Sequence, residues 1–214
     1  MKTLILAATI CALGAASAAA HAVAFDRGWT EQKFSLFSRN EYGLNGNALD
    51  VSSDGSVSLV WNALPVSAWQ NRAASWNWSV QTSVPPTDLT LKGGDDRNLS
   101  LYFVFLPEQV ALATQGKSIR SLLRNEDVRV LTYVWGGAHR RGDVLASPYL
   151  GPRGKTLILR PSGTGSASEA IDLALDYQRA FGGEATSLVG IAVSADSDDT
   201  ASEIEARIAN LRID

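Results

Sequence analysis

Leu188 to Thr200, LVGIAVSADSDDT, constrains this chain more than any other stretch. Apolar and small residues run without a break into an acidic turn. That is the pattern of a strand covered on both faces and ending at a rim. Leu99 to Leu106, LSLYFVFL, has the same character, and its acidic turn, Gly93 to Asp96 (GGDD), comes before it. Two such strands need layers on either side of them. The expectation is a β-sandwich with carboxylates along one rim.

The rest of the chain supplies shorter strands and few helices. Asp26 to Phe37 reads as a first strand region. Asp54-Gly55 is a hairpin turn ahead of GSVSLV, where Val57 and Leu59 share a face. In Ala74 to Val80, ASWNWSV, side chains two apart point the same way, so Trp76, Trp78 and Val80 line one face. Val128 to Trp135 and Thr156 to Arg160 are further strands, and Ile171 to Leu173 ends another. Glu203 to Ile213 alternates at Ile204, Ala206 and Ile208, then at Leu211 and Ile213, and closes a sheet. Pro107 to Asn125 has helical spacing interrupted by Gly116, which predicts one or two short crossover helices. Ala174 to Phe181 predicts a short helix, with Leu173, Tyr177 and Phe181 as its stripe and Gly182-Gly183 as its cap. No βαβ rhythm and no internal repeat is present. The fold class that follows is mainly β: an antiparallel sandwich of jelly-roll type with short helical crossovers.

The N-terminal stretch bears on the compartment. Met1-Lys2 is a basic start, Leu4 to Leu13 is apolar, and Ala18-Ala19-Ala20-His21-Ala22 offers small residues at the spacing of a cleavage site. This reads as a signal peptide over residues 1–22, too short in its apolar part to span a bilayer, with cleavage after Ala22 or after Ala20. The expectation is a periplasmic or secreted protein with a single domain over 23–214. Its only cysteine, Cys11, lies in that leader, so no disulfide is expected to staple the domain. Without Lys2, the basic count drops one below the chain's 19, against 22 acidic residues. That mild negative balance argues against non-specific nucleic-acid binding.

GDDRNLSLYFVF, LTYVWGG, SPYLGPRGKTLILR, LDYQRAFGG and GIAVSADSDDTAS, in this order and spacing, resemble a bacterial exported family, the domain of unknown function 3047 (DUF3047). The WNW segment fits its tryptophan strand, and the resemblance runs from about Trp29 to Asp214. It implies a sandwich like the galactose-binding and carbohydrate-binding modules, and brings no activity with it. Two places depart from the family pattern: the Gly163 to Ser168 loop, and Asp199, where asparagine is expected.

Three constellations carry possible chemistry. The acidic turn offers Asp196, Asp198 and Asp199 as hard oxygen ligands for calcium, and Asp95 and Asp96 join them if the two bends meet. An EF-hand is excluded because Ala201 stands where glycine is required. The alternative is a solvated turn in which Asp199 or Thr200 caps neighbouring amides. The chain also has six tryptophans. Trp76 and Trp78 are expected in the core. Trp69, in the polar SAWQNR stretch, and Trp135, at a strand end beside Gly136-Gly137, are expected at a groove where flat rings stack on sugars. Third, His139-Arg140-Arg141 with Asp143 forms a basic loop, which either grips an anion or is solvated. His139 is the only histidine beyond the leader, which rules out a three-histidine zinc site. No G-x-S-x-G elbow is present.

The ligand set expected for a carbohydrate or cell-envelope glycan is therefore Asp95, Asp96, Trp135, Asp196, Asp198 and Trp69. One rival reading is a glycan-cleaving enzyme, with paired aspartates about 5.5 Å apart for retention or about 6.5–9.5 Å for inversion. The other is a structural envelope protein with no small ligand.

Overall fold

The computed structural model describes residues 21–34 and 38–214. In chain order the strands are β1 (His21–Ala22), β2 (Thr30–Lys33), β3 (Glu41–Leu44), β4 (Ala48–Asp54), β5 (Val57–Ala63), β6 (Ala73–Thr82) and β7 (Arg97–Leu106). They continue with β8 (Arg129–Trp135), β9 (Val144–Ser147), β10 (Gly151–Arg160), β11 (Gly165–Asp172), β12 (Ser187–Asp196) and β13 (Glu203–Ile213). Three short helices are inserted among the described residues: α1 (Glu108–Ala113), α2 (Ile119–Leu123) and α3 (Leu173–Phe181).

The strands form two stacked sheets. One has the order β11-β6-β13-β4-β3, with β1 also pairing β13; the other has the order β2-β5-β12-β7-β8-β10-β9. The pairings are antiparallel apart from β8 with β10, which run parallel. The mainly β sandwich expected from the sequence is thus the fold, with one parallel pair in it. That pair follows from the long route through β9, which returns the chain along β8 in the same direction.

Strict alternation makes β6 a wall of the core. Ala74, Trp76, Trp78 and Val80 face in, each 2% exposed, while Ser75, Asn77 and Ser79 face out. Trp76 meets Trp78 edge-on at 5.4 Å and reaches across to Phe103 at 6.3 Å and Tyr133 at 5.9 Å in the facing sheet. These contacts fix the faces of the seven-stranded sheet. Leu99, Leu101, Phe103 and Phe105 of β7 point inward, so Ser100 and Tyr102 point outward. In β13 the inward phase slips between Ile208 and Leu211. The cause is a bulge at Asn210, whose φ of 55° lets its N–H reach the Asn47 carbonyl.

The helices begin and end on local signals. Asp172 caps α3 by accepting from the Leu175 N–H at 2.9 Å, and Gly182 ends it at a positive φ. Tyr177 then packs on Phe105 and Phe181. Gly116 separates α1 from α2, and Ser118 caps α2. No helix among the described residues is long and apolar enough to cross a membrane.

Most of the leader lies outside the described residues, as do residues 35–37 of the expected first strand, which is confined to Thr30–Lys33. His21 and Ala22 pair with Ile213 and Arg212. Cleavage after Ala20 would keep that pairing and cleavage after Ala22 would remove it.

Candidate functional site

The two acidic bends meet. Antiparallel pairing sets Asp196, at the end of β12, opposite Arg97, at the start of β7, so the turns flanking these residues abut. Asp96 joins them and is fully buried. Its carboxylate accepts from the backbone N–H of Asp199 at 3.3 Å and of Thr200 at 2.7 Å, and from the Thr200 hydroxyl at 2.5 Å. The capping expected of Asp199 or Thr200 is therefore supplied by Asp96 from the other bend.

Arg97 is the hub. Its Nη1 donates to Asp95 Oδ2 at 2.8 Å and to Asp196 Oδ2 at 3.0 Å, Nε donates to Ser100 Oγ at 2.7 Å, and Nη2 donates to the Tyr102 hydroxyl at 3.1 Å. Tyr102 in turn bonds Ser194 at 2.9 Å. The chain just past β8 packs closely against the Arg97 backbone. A Cβ on Gly136 would stand 2.8 Å from the Arg97 Cα, so only glycine fits there. At the outer edge the Tyr149 hydroxyl donates to Asp95 Oδ1 at 2.8 Å, with the Lys92 ammonium 5.5 Å from the Tyr149 ring centroid. Tyr149 is 57% exposed.

One guanidinium faces two carboxylates here, which leaves a negative charge over. Burial pushes the Asp196 carboxyl up to about 8; Arg97 opposes this, and Asp198, Asp96 and Asp95 add to it. Asp196 is thus the partner that tends to hold a proton. Burial alone would lower Arg97, but Tyr102, Asp196 and Asp95 keep it firmly protonated. Asp196 Oδ1 is buried and has no hydrogen-bond partner among the described residues. Asp199 is also raised, by burial and then by Asp198 and Asp96.

Three expected site residues stand elsewhere or act otherwise. Trp69 is only 4% exposed and donates its indole N–H to the Leu64 carbonyl at 3.0 Å. The 3-10 turn at Val66–Ala68 folds it inward despite its polar neighbours. Trp135 is a core residue, packed edge-on against Trp78 at 5.5 Å, with its N–H on the Gly163 carbonyl. It rims no groove because its strand partner Leu99 faces the interior. In the expected metal set, Asp196 is replaced by Asp96: the carboxylates that bring oxygens within 4.8 Å of one another are Asp96, Asp198 and Asp199. Ala201, at the glycine position of an EF-hand-like loop, nonetheless has the left-handed φ of 48°.

The basic loop is neither free nor simply solvated. His139 Nε2 accepts from the Leu89 N–H at 3.1 Å, and Arg141 pairs with the buried Glu169 at 2.9 Å. Tyr149, Arg97 and Tyr102 were not singled out from sequence. A tyrosine in SPYLG signals only a turn, and the pairing that aims Arg97 joins residues 99 apart.

Two hollows lie away from the bends. One, of about 440 Å³, opens on the outer face of the six-stranded sheet beside Asn77, Ser79, Ser168 and Arg207. The other, of about 260 Å³, lies between the Val66–Ala68 turn and helices α1 and α2.

Among solved structures, the chain is similar to the xyloglucanase domain of NopAA, a type three effector from Sinorhizobium fredii, in complex with cellobiose. The TM-score is 0.46 at 11% identity, covering 91% of this chain and 97% of that one. It is also similar to the K1 cleaved adhesin domain of Lys-gingipain from Porphyromonas gingivalis (TM-score 0.38, 9% identity, 92% and 98% covered). A third is the family 11 xylanase from Neocallimastix patriciarum (0.40, 10%, 90% and 92%). These likenesses are loose. No curated protein matches the sequence. A family model does, over residues 27–212, and the chain belongs to that family, DUF3047, whose proteins are of unknown function.

Proposed function

We propose that this protein binds a carbohydrate at the meeting of its acidic bends, with Tyr149 as the stacking platform. The observation that carries this reading is the tether on that ring. Tyr149 is open to solvent, yet its hydroxyl is pinned by Asp95, which Arg97 holds in turn. A ring fixed in this way loses little freedom when a ligand stacks on it. Sugars present an apolar C–H face to such a ring and hydroxyl donors to the carboxylates beside it. Asp198 and Asp199 are exposed acceptors in the adjoining bend.

Calcium belongs to the same proposal. Asp96, Asp198 and Asp199 offer the hard oxygens it takes. The unpartnered Oδ1 of Asp196 lies in the same bend, among carboxylates in excess of the one guanidinium. Export to the periplasm or beyond is proposed from the N-terminal stretch, with the intact mass of the exported protein, starting at His21 or Val23, as its check.

The test is a glycan array on the exported form with and without calcium, followed by titration of the best hit against Tyr149→Ala and Tyr149→Phe. Alanine is expected to lose at least about tenfold in affinity, and phenylalanine, which keeps the ring but loses the tether, only a few-fold. A blank array, or equal binding by the alanine variant, would remove the reading.

A second reading is glycan cleavage. Asp95 and Asp196 share one Arg97 nitrogen, which holds their oxygens within about 6 Å, near the spacing of retaining glycosidases. Both carboxylates are nearly without exposure and are occupied by Arg97, which favours binding. New reducing ends from an oligosaccharide, lost in Asp196→Asn, would reverse that preference.

A further inference from the structure

We propose that the hollow between the Val66–Ala68 turn and helices α1 and α2 binds a small amphiphile: a medium-length acyl chain ending in a carboxylate. The hollow lies at the far end of the outer face from the acidic bends and is independent of the carbohydrate reading.

Its walls are apolar. Trp61, Leu64, Pro65, Leu106, Leu122 and Val189 line it. The floor is set by one contact on the sheet. Trp61 pairs with Ala192, two residues along β12 from Gly190 and so on the same face, and the Trp61 ring lies where a Cβ of residue 190 would be. The sheet therefore presents the flat side of an indole rather than a row of branched side chains. Trp69 adds a second indole, and Val66, half exposed, forms part of the lip.

The mouth is polar and carries one sign of charge. Lys117 is the single charged residue in the lining, and it has no salt-bridge partner among the described residues. It is placed there by Gly116, whose φ of 75° turns the chain sharply between α1 and α2. An ammonium at the edge of an apolar hollow, without an ion-pair partner among the described residues, complements a ligand with an apolar body and one anionic head. The volume, about 260 Å³, falls just below the usual range of ~300–1,000 Å³ for ligand sites. It suits a chain of about eight carbons rather than a long-chain lipid.

Octanoate is the probe, titrated calorimetrically into the exported form, with octanol and acetate as the analogues lacking the head and the body. Saturable octanoate binding is expected, with octanol about tenfold weaker and acetate silent at the same concentrations. Lys117→Gln should bring octanoate down to the octanol level while leaving octanol unchanged. 8-Bromooctanoate, whose heavy atom quenches indoles it touches, should dim emission in the parent protein and do so less in Trp61→Phe. No saturable binding of octanoate overturns the proposal. So does binding that Lys117→Gln does not weaken, or quenching that Trp61→Phe leaves unchanged. The carbohydrate reading is untouched by any of these outcomes, since none of them involves Tyr149 or the acidic bends.

Discussion

Gly190 has no room for a side chain. A Cβ there would overlap the Trp61 ring and stand 2.7 Å from the Asn62 carbonyl oxygen, which belongs to backbone and cannot give way. Gly190→Ala is therefore expected to lose about 1–3 kcal/mol, seen as a lower urea midpoint with an unchanged slope. An unchanged midpoint would mean that Trp61 can leave the sheet freely. Glu169 makes the opposite kind of demand. It points inward from the edge strand β11 and accepts from Arg141, Arg160 and the Trp78 N–H. Burial would raise its carboxyl, but the two guanidiniums outweigh it and hold the group below the ordinary glutamate value. A depressed acid stabilises the fold above its unfolded pKa, about 4.3, and that contribution is lost as pH falls through the folded value. Glu169→Gln should be less stable at pH 7 and should lose less on acidification to pH 3 than the parent does. Parallel stability curves for the two would show that Glu169 does not feel its arginines. Neither demand is legible in the sequence. Glu169 lies in a polar stretch that looks like surface, and nothing in LVGIAV says which neighbour rests on its glycine. The tryptophans divide in the same way. Alternation in β6 points Trp76 and Trp78 into the core, whereas the polar neighbours of Trp69 and the strand end at Trp135 say nothing about what covers a ring.

The bends form a single element built from two distant pieces of chain. Each was visible as a strand end with carboxylates, and their meeting follows once β7 and β12 are known to be antiparallel neighbours. What sequence could not supply was the division of labour. Asp96 is spent on the amides of the other bend, Asp95 and Asp196 are spent on Arg97, and only Asp198 and Asp199 remain open. The calcium proposal is tested on this element. An ion on Asp96, Asp198 and Asp199 would bind only where both bends are in place, hence to the folded chain alone, and would stabilise it by mass action. The melting temperature is expected to rise between EDTA and millimolar calcium, and to stop rising in Asp198→Asn. Magnesium should do less, because it demands a tighter octahedral shell than two bends can supply. Identical melting in EDTA and calcium would leave the bends as a purely protein-made joint. The helices were more legible than the bends. Gly116, Ser118, Asp172 and Gly182 act within a few residues of themselves, so their meaning survives in one dimension.

At the scale of the whole molecule, the chain crosses repeatedly between the two sheets, although β3–β4 and the run from β7 to β10 each stay within one. β4 lies in the six-stranded sheet, β5 in the seven-stranded one, β6 back in the first, β7 in the second, and β11, β12 and β13 change sheet at every step. Neither sheet is built from one continuous stretch of chain. The last strand, β13, pairs with β1, β4 and β6 from the first half of the sequence. Such a topology leaves no sub-part with its own core, since Trp76 needs Phe103 and Tyr133 from the facing layer as much as Trp78 from its own. The prediction is a single cooperative unfolding transition. Far-UV dichroism, which reports strands, and tryptophan emission, which reports the inter-sheet core, should fall on one curve in urea. Refolding should be slow for the chain's size, in the range of milliseconds to seconds or longer, because the pairings that close the sandwich join residues far apart. Two separated midpoints would mean that one layer outlives the other. In that case the Arg141–Glu169–Arg160 cluster that bridges the layers at β11 would be the place to look for the weak seam.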